Sequence, residues 1–543
     1  MRDLLRRLPQ TTVAWIRPNI QSFLASREHT VWMLSLIIGL LVSIAAIVFR
    51  QLIVITQWLW FDAERDSLAS AARELPWYWV LTAPAIGGLL IGWLLTRFLP
   101  SRRTGGVADV IEAKAYGGRN IELKPGLMSA LVSGLSLGFG GSAGREGPMV
   151  HLGATLATSL VTKFSVPDWG RKTLLACGVA SAVSASFNAP IAGVLFAHEV
   201  VLGHYAKRSF IPIVIASVMG TVLSRLWFGD AAAFEIPAHQ ITSFLEIPAF
   251  ALLGIVCALV AVLFQFSMIG TDAVARSVPI PLWLRPAIGG LMVGAIAVFY
   301  PEVLGVGYEA TDNALKSQLP LLLLFGLIVA KTAATSITLA SRFGGGVVSP
   351  SLYIGAMTGS AFGILAAQAF PELASSQGIY AILGMGAVAA AVIGAPISTT
   401  VMVFELTGGY ALSIALLLTV SIATGINQAV HGRSIFQWQL ELRGLMFHDG
   451  PHRFMVRNTL VASFMHPLQD GEPTERDSED DRPVLRADTT LEAALRTFDE
   501  SGHGRLPVVS ARNEAVVIGH ATQVAALRNF NKALVDLSVE EHR

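Results

Sequence analysis

The sequence predicts an all-α polytopic membrane protein with a repeated core of broken helices and a small α/β domain at its C-terminal end. Three observations carry this. Of 543 residues, 53% are apolar and 14% charged, where a soluble protein has about 25% charged, and the mean hydropathy is +0.57. Apolar stretches long enough to cross a hydrocarbon core of roughly 30 Å recur along the chain. From Asp449 to Arg543 the composition changes to 16 acidic and 11 basic residues, which sets an acidic tail apart from an apolar body, with the boundary near Gly444 to Pro451. The formal net charge of +1 provides no polycation for nucleic acid. Cys177 and Cys257 are the only cysteines and both lie in apolar runs, so a disulfide framework and a cysteine-based zinc cluster are excluded.

Residues 1–30 read as a cytoplasmic N-terminal segment. They contain arginines but no compact apolar stretch ending in a small-residue cleavage site, and so no removable signal peptide. Arg2, Arg6, Arg7 and Arg17 precede the first span, which favours a cytoplasmic N-terminus, and both ends are expected on that side. A first membrane repeat, 31–230, contains long spans at about 31–55, 78–99 and 209–228. A second, 245–445, contains spans at about 247–270, 284–299, 319–341 and 411–430. Shorter pieces broken by glycine and proline lie between them, at about 126–142, 149–163, 172–187, 190–201, 353–370, 379–393 and 396–406. Broken helices at membrane depth are tolerated only where protein buries them or where they line an aqueous cavity. Their presence in both halves points to a transport site.

The halves repeat. GREGPMVHLGA (144–154) and GVVSPSLYIGA (346–356) share Gly-x-x-x-Pro-x-x-x-x-Gly-Ala at an offset of 202. GVASAVSASFNAPIAGVLFAHE (178–199) matches GMGAVAAAVIGAPISTTVMVFE (384–405) at an offset of 206, pairing Gly178 with Gly384, Ala189-Pro190 with Ala395-Pro396, and Glu199 with Glu405. The half-helix content favours inverted over parallel repeats.

The interrupted segments carry the chemistry. In GGSAGREGP, glycines let the backbone approach a small ligand closely, and Pro148 suits the first turn of a helix. A helix start presents amides without partners and roughly half a positive charge, which makes an anion site. GGGVVSP (344–350) offers the same from the other repeat. Two such ends meeting at the midplane hold an anion without a fixed Lys or Arg, weakly enough for it to leave. The competing reading is helix packing by small residues, and the recurrence at matching repeat positions weighs against it. Glu146 is an intramembrane carboxylate and a functional candidate by default. Ionised, it can occupy the anion site; protonated or displaced, it swings aside. The alternative is a structural ion pair with Arg145. Glu199 and Glu405 read as structural caps or pairs, and His198 and His204 as interfacial polar residues rather than metal ligands. GGLLIG (87–92) fits a dinucleotide loop poorly and lies inside a span. No cofactor and no enzymatic activity are expected. An intramembrane protease would need a partner for the serine of GGSAG, Ser142, and none is evident.

The chain resembles the CLC chloride channels and anion/proton antiporters over about residues 30–445, most nearly their bacterial ClcB-like members. GREGP (144–148), GGVVSP (345–350) and TGGVADV (104–110) are similar to that family's GREGP/GKEGP, GxFxP and GSGIP motifs. The resemblance implies a CLC-type inverted-repeat α-helical fold in a bacterial inner membrane, a homodimer with one pore per subunit, and chloride as the usual anion. It implies that Glu146 is the external gating glutamate. The anion sites would use the amides of Val347 and Val348 and of the stretch from Gly144 through Arg145 to Gly147. Two hydroxyl ligands of the family are replaced: its serine by Gly105 and its pore tyrosine by Phe436, which leaves mostly backbone donors and opens the site to other, larger anions. The inner proton-relaying glutamate of the antiporters falls on Val200, as in the channel branch. The resemblance therefore favours a passive chloride channel, ahead of a proton-coupled antiporter using another inner acid or a water wire.

In the tail, DGEPTERDSEDDR (470–482) reads as a solvated loop. The following strand, amphipathic helix, two strands and helix within 446–543 are similar to one CBS repeat. The family's nucleotide-contacting pattern is met by Gly519 and Thr522 but ends in Ala525, so a structural or dimerising module is expected before an adenine-nucleotide sensor.

Overall fold

A computed structural model describes residues 16–21, 23–63, 67–115, 121–229, 241, 243–407, 412–445, 456, 459–468, 482–511, 513 and 515–542. The first fifteen residues of the N-terminal segment, and the acidic loop 470–482 apart from Arg482, lie outside them. The chain separates into two compact units, Met1–Phe436 and Gln437–Arg543.

In the first unit one series of helices is run through twice. The first pass is α1 (Glu28–Phe61), α2 (Leu68–Glu74), α3 (Trp77–Phe98), α4 (Val107–Ala115), α5 (Leu123–Gly138), α6 (Glu146–Val161), α7 (Asp168–Phe187), α8 (Pro190–Phe196) with a π-helical turn Ala197–Leu202, and α9 (Lys207–Phe228). The second pass is α10 (Ile247–Ser277), α11 (Arg285–Phe299), α12 (Tyr308–Leu315), α13 (Leu321–Ala340), α14 (Val348–Ala369), α15 (Gln377–Ile393), α16 (Pro396–Thr407) and α17 (Ser413–Val430); α18 (Ile435–Glu441) runs across the division after Phe436. Among the described residues seven helices are long and apolar enough to cross a membrane. The expected span at 284–299 forms only the 15-residue α11, and the piece expected as broken at 353–370 belongs to the 22-residue α14.

The breaks have local causes. α7 ends at Asn188, in the left-handed region with φ 57°, whose amide donates back to Ser184 O; Ala189 follows and Pro190 opens α8. The second repeat does the same with Gly394 at φ 75°, Ala395 and Pro396. A left-handed residue closes the carbonyls of one helix, and a proline, having no amide to leave unpaired, starts the next.

The repeats are inverted. Glu199, in the π-turn that ends the α8 segment, accepts the amides of Ile397 at 3.1 Å and Ser398 at 2.7 Å in the first turn of α16. Glu405, near the end of α16, accepts the amides of Ile191 at 3.0 Å and Ala192 at 2.7 Å in the first turn of α8. Each helix ends where the other begins, so the two run antiparallel. The same reciprocity holds where α3 crosses α11. A Cβ on Gly88 would overlap the carbonyl of Pro286 and one on Gly290 that of Pro84; Gly92 likewise meets Trp283 O, and Gly294 meets Leu81 O. These pairs sit in PAIGGLLIG (84–92) and PAIGGLMVG (286–294), again at an offset of 202. Within each repeat a glycine pair brings two backbones together, Gly153 with Gly178 between α6 and α7 and Gly355 with Gly384 between α14 and α15. Close backbone approach at small residues is how membrane helices gain packing without a hydrophobic driving force.

Among the described residues of the second unit four short strands, β1 (His466–Pro467), β2 (Leu485–Arg486), β3 (Arg505–Val509) and β4 (Val517–Thr522), form one sheet in the order β1-β4-β3-β2. β2 and β3 are parallel; the other pairs are antiparallel. A helix α19 (Leu491–Ser501), N-capped by the Thr490 hydroxyl and ended by Gly502 at φ 69°, packs Leu491, Ala494 and Phe498 into a core with Leu485, Leu506, Val508 and Ala521. A final helix α20 (Gln523–His542) adds Ala526 to it.

Because the α3/α11 crossing leaves no room for a methyl group, Gly88→Ala and Gly290→Ala are each expected to cost about 1–3 kcal/mol. Gly425→Ala in α17, where a Cβ meets nothing within 4 Å, leaves stability unchanged or raised. Thermal unfolding of the detergent-solubilised variants checks this; equal tolerance at all three positions would contradict the crossing.

Candidate functional site

The first turns of α6 and α14 face each other at the inverted-repeat axis. Gly144 N–H donates to Gly346 O at 2.7 Å, and Gly346 N–H donates to Gly144 O at 2.7 Å, a two-residue antiparallel bridge. Both helices begin directly after it, α6 with Arg145 and α14 with Val347 at the N-cap, and neither cap residue supplies a side-chain hydrogen bond. A helix start leaves up to four amides without intrahelical partners, and here two starts converge in a region where Gly144, Gly147, Val347 and Val348 are all buried. A Cβ on Gly147 would stand 3.0 Å from Gly346 Cα, so the two backbones are in contact across the seam.

Glu146, only 2% exposed, opens α6. Its hold on the protein is loose. Tyr308 Oη donates to Oε1 at 3.4 Å, Arg145 Nε lies 3.8 Å from the same oxygen, and Oε2 has no partner among the described residues. Oε2 points into the seam: a Cβ on Gly144 would be 2.6 Å from it and 3.1 Å from Ser349 N in the first turn of α14. Arg145 is committed elsewhere. Its Nη2 donates to Ser186 O at 2.7 Å and its guanidinium lies 4.8 Å over the Tyr308 ring. A single contact at 3.8 Å is too long for a hydrogen bond, which weakens the alternative of a structural Arg145–Glu146 pair.

Tyr308 escaped the sequence reading. It follows Gly307, held at φ 91°, and starts α12, the counterpart of α4. The signal was present: the repeat offset of 202 carries Gly105 onto Gly307. A cavity walled by Arg50, Arg145, Glu302, Tyr308 and Glu309, among others, reaches the two side chains that touch Glu146.

The remaining expected residues lie on other elements. Gly105 precedes α4, and its N–H donates to Ser129 Oγ at 2.7 Å. Phe436 is buried at the start of α18. Val200, half-buried, sits in the π-turn, where Glu199 is occupied as the α16 cap and Lys114 Nζ donates to Leu202 O at 2.9 Å. His198 is fully buried, with Nδ1 hydrogen-bonded to His204 O at 2.9 Å. Ser142 offers no nucleophile: its amide donates to Thr338 Oγ1, and its hydroxyl lies 3.4 Å from Thr335 Oγ1 rather than beside a base. No group of three or more His, Cys, Asp or Glu side chains suited to a metal occurs among the described residues.

Comparison with known proteins agrees with this architecture. The family described as "Voltage gated chloride channel" matches residues 87–428. The Escherichia coli "Voltage-gated ClC-type chloride channel ClcB" is 31% identical over 413 residues, covering 75% of this chain and 97% of that protein. A ClcB-like protein of Ralstonia nicotianae is 32% identical over 386 residues, 70% of this chain and 90% of its own. Among solved structures, a slow cyanobacterial Cl−/H+ antiporter superposes with a TM-score of 0.69 at 22% identity, covering 76% of this chain and 97% of that one. A eukaryotic CLC transporter gives 0.66 at 17% identity, covering 92% and 88%. At such identities the two structures speak for the fold.

The reciprocal caps make a test of the frame around the site. Glu199→Ala and Glu405→Ala each strand two amides at a helix start, so each is expected to cost about 1–3 kcal/mol. The two losses should be similar in thermal unfolding; a large loss at one position and none at the other would contradict the reciprocity.

Proposed function

This chain belongs to the voltage gated chloride channel (CLC) family, and on that premise we propose that it is a passive chloride channel gated by Glu146. The observation that carries the reading is the Gly144–Gly346 bridge, which sets two helix starts against each other with a loosely held carboxylate between them. Each start contributes amide donors and about half a positive charge. Together they attract one small anion without a permanent cation directed at it, and binding stays weak enough for release.

Glu146 competes for the same donors. Ionised, it offers its own oxygen to the seam and excludes chloride. Protonation removes the charge that holds it there, and a high concentration of chloride displaces it by mass action. Its long contacts, 3.4 and 3.8 Å, cost little to break. The cavity lined by Arg50, Arg145 and Tyr308 lies beside the two side chains that touch Glu146.

Val200 supports a channel over an antiporter, since a valine carries no proton, and its neighbour Glu199 is engaged as the cap of α16. The second reading, a proton-coupled chloride antiporter, draws on His198, two residues from Val200, whose buried Nε2 has no partner among the described residues. In the preferred reading the protein is a homodimer in a bacterial inner membrane, with both termini cytoplasmic. The CBS-like second unit is a structural or dimerising module, because Ala525 stands where the nucleotide-contacting pattern needs a carboxylate.

Chloride flux from proteoliposomes, followed across acidic and neutral pH, tests the gate. Wild-type flux should rise as pH falls. Glu146→Ala and Glu146→Gln should conduct at all pH values with that dependence abolished; an unchanged pH profile in both variants would remove Glu146 from the role. Gly144→Ala puts a methyl group against Oε2 and should likewise flatten the profile. A wild-type profile in that variant would show that the carboxylate does not seat in the seam.

A further inference from the structure

α13 contains one charged side chain, Lys331, and it is fully buried. A cation at membrane depth is costly, which makes it a functional candidate by default. Its Nζ donates to Val303 O at 3.0 Å and to Gly305 O at 2.9 Å, and stands 5.0 Å from the centroid of the Tyr353 ring. Among the described residues no carboxylate pairs with it. The ammonium is committed to the backbone of one segment, the stretch from the turn Pro301–Val303 to the start of α12.

That segment ends at the side chain that touches the gate. Gly305 is held at φ 59° and Gly307 at φ 91°, and Tyr308 follows directly, donating to Glu146 Oε1 at 3.4 Å. A Cβ on Gly307 would stand 2.6 Å from Tyr353 Cδ2 and 3.4 Å from Lys331 Nζ, so ring and ammonium together wall in the residue before Tyr308. On another side the start of α12 is tied to α2, where Glu309 accepts the amides of Ala69 at 3.0 Å and Ser70 at 3.2 Å. At the repeat offset of 202, Lys331 falls on Ser129 and Gly307 on Gly105, and Ser129 Oγ accepts the Gly105 amide at 2.7 Å. In both halves the same helix position holds the segment that enters the short helix, by a hydroxyl in one and an ammonium in the other.

We propose that Lys331 is a positioning residue of the gate: by holding the Val303 and Gly305 carbonyls it fixes the entry to α12, and with it the reach of Tyr308 Oη to Glu146. This rests on the gating role proposed for Glu146 above. A hydrogen bond donated to a carboxylate favours its ionised form, the form that closes the seam. Loosening the segment therefore makes the gate open at higher pH. The other charged groups near this contact are Arg145, 3.8 Å from Oε1, and Arg50, Glu302 and Glu309 on the cavity wall. Glu302 is paired with Arg73 and Glu309 with the α2 amides, and neither is bonded to Lys331.

Chloride flux of the full chain in proteoliposomes, measured against pH, tests this through the midpoint of the profile. Tyr308→Phe removes the donor and should move the midpoint up by about half a pH unit, the size of one weak hydrogen bond. Lys331→Met has no donor and should move it up by a similar amount, whereas Lys331→Arg keeps donors for both carbonyls and should stay near the wild type. Because the lysine acts through Tyr308, Lys331→Met combined with Tyr308→Phe should shift no further than Tyr308→Phe alone. An unmoved midpoint in Lys331→Met, whatever its thermal stability, makes the lysine part of the frame only and overturns the proposal. Additive shifts in the double variant mean that the ammonium acts on Glu146 through its field, and overturn it equally. Should Lys331→Met not fold, Lys331→Gln, neutral and one bond shorter, is held to the same two outcomes. A wild-type profile in Glu146→Gln would remove the gate itself; with that profile abolished, these outcomes judge Lys331 alone.

Discussion

Backbone amides that are buried at membrane depth have to find acceptors, and most of this architecture follows from how that demand is met. Two helices start inside the protein, and water is not at hand to satisfy their first turns. The bridge between Gly144 and Gly346 answers part of the demand by pairing one amide and one carbonyl from each repeat. What it leaves open is the set of amides just beyond the bridge, from Glu146 and Val348 onward. An unmet donor set at a pair of positive helix ends is costly without a ligand and favourable with an anion. In the proposed function, the anion site and the structural weak point are the same place.

The carboxylates of the membrane unit show how one residue type is used in two ways. Glu199 and Glu405 each accept two amides at 2.7 to 3.1 Å from the opposite repeat, which fixes them as caps. Glu246 is similarly held, with the Ser375 hydroxyl at 2.8 Å. Among the described residues Glu146 has only a hydroxyl at 3.4 Å and a guanidinium nitrogen at 3.8 Å. Short charge-assisted bonds make a carboxylate part of the frame; long ones leave it free to be exchanged for another anion. Both caps lie at repeat-related positions, whereas the counterpart of Glu146 at the offset of 202 is Val348, so the internal symmetry is broken at the residue proposed as the gate.

Much of this was legible in the chain. Composition and apolar run length point to a membrane protein, and the Gly-x-x-x-Pro repeat marks a helix start in each half, although the expected pieces 149–163 and 353–370 begin three and five residues after α6 and α14 do. Glu199 and Glu405 were readable as caps, but their partners were not, because each pairs with a helix about two hundred residues away. PAIGGLLIG and PAIGGLMVG are a third matched motif pair between the two repeats, one that a reading of GGLLIG as a nucleotide loop does not reveal. Helices such as α2, α4 and α12 are too short, and too mixed in polarity, to show a clear period. The hold of Lys331 on the Val303 and Gly305 carbonyls could not be found from residue types at all, since it depends on where the backbone of another segment passes.

The central claim is that anion passage through this site is passive. Proteoliposomes loaded with chloride, with external chloride and pH electrodes read together, test it most directly. The account predicts rapid chloride release with no proton movement against its gradient. Protons driven uphill at a fixed ratio to chloride would contradict it and show that Val200 does not end coupling.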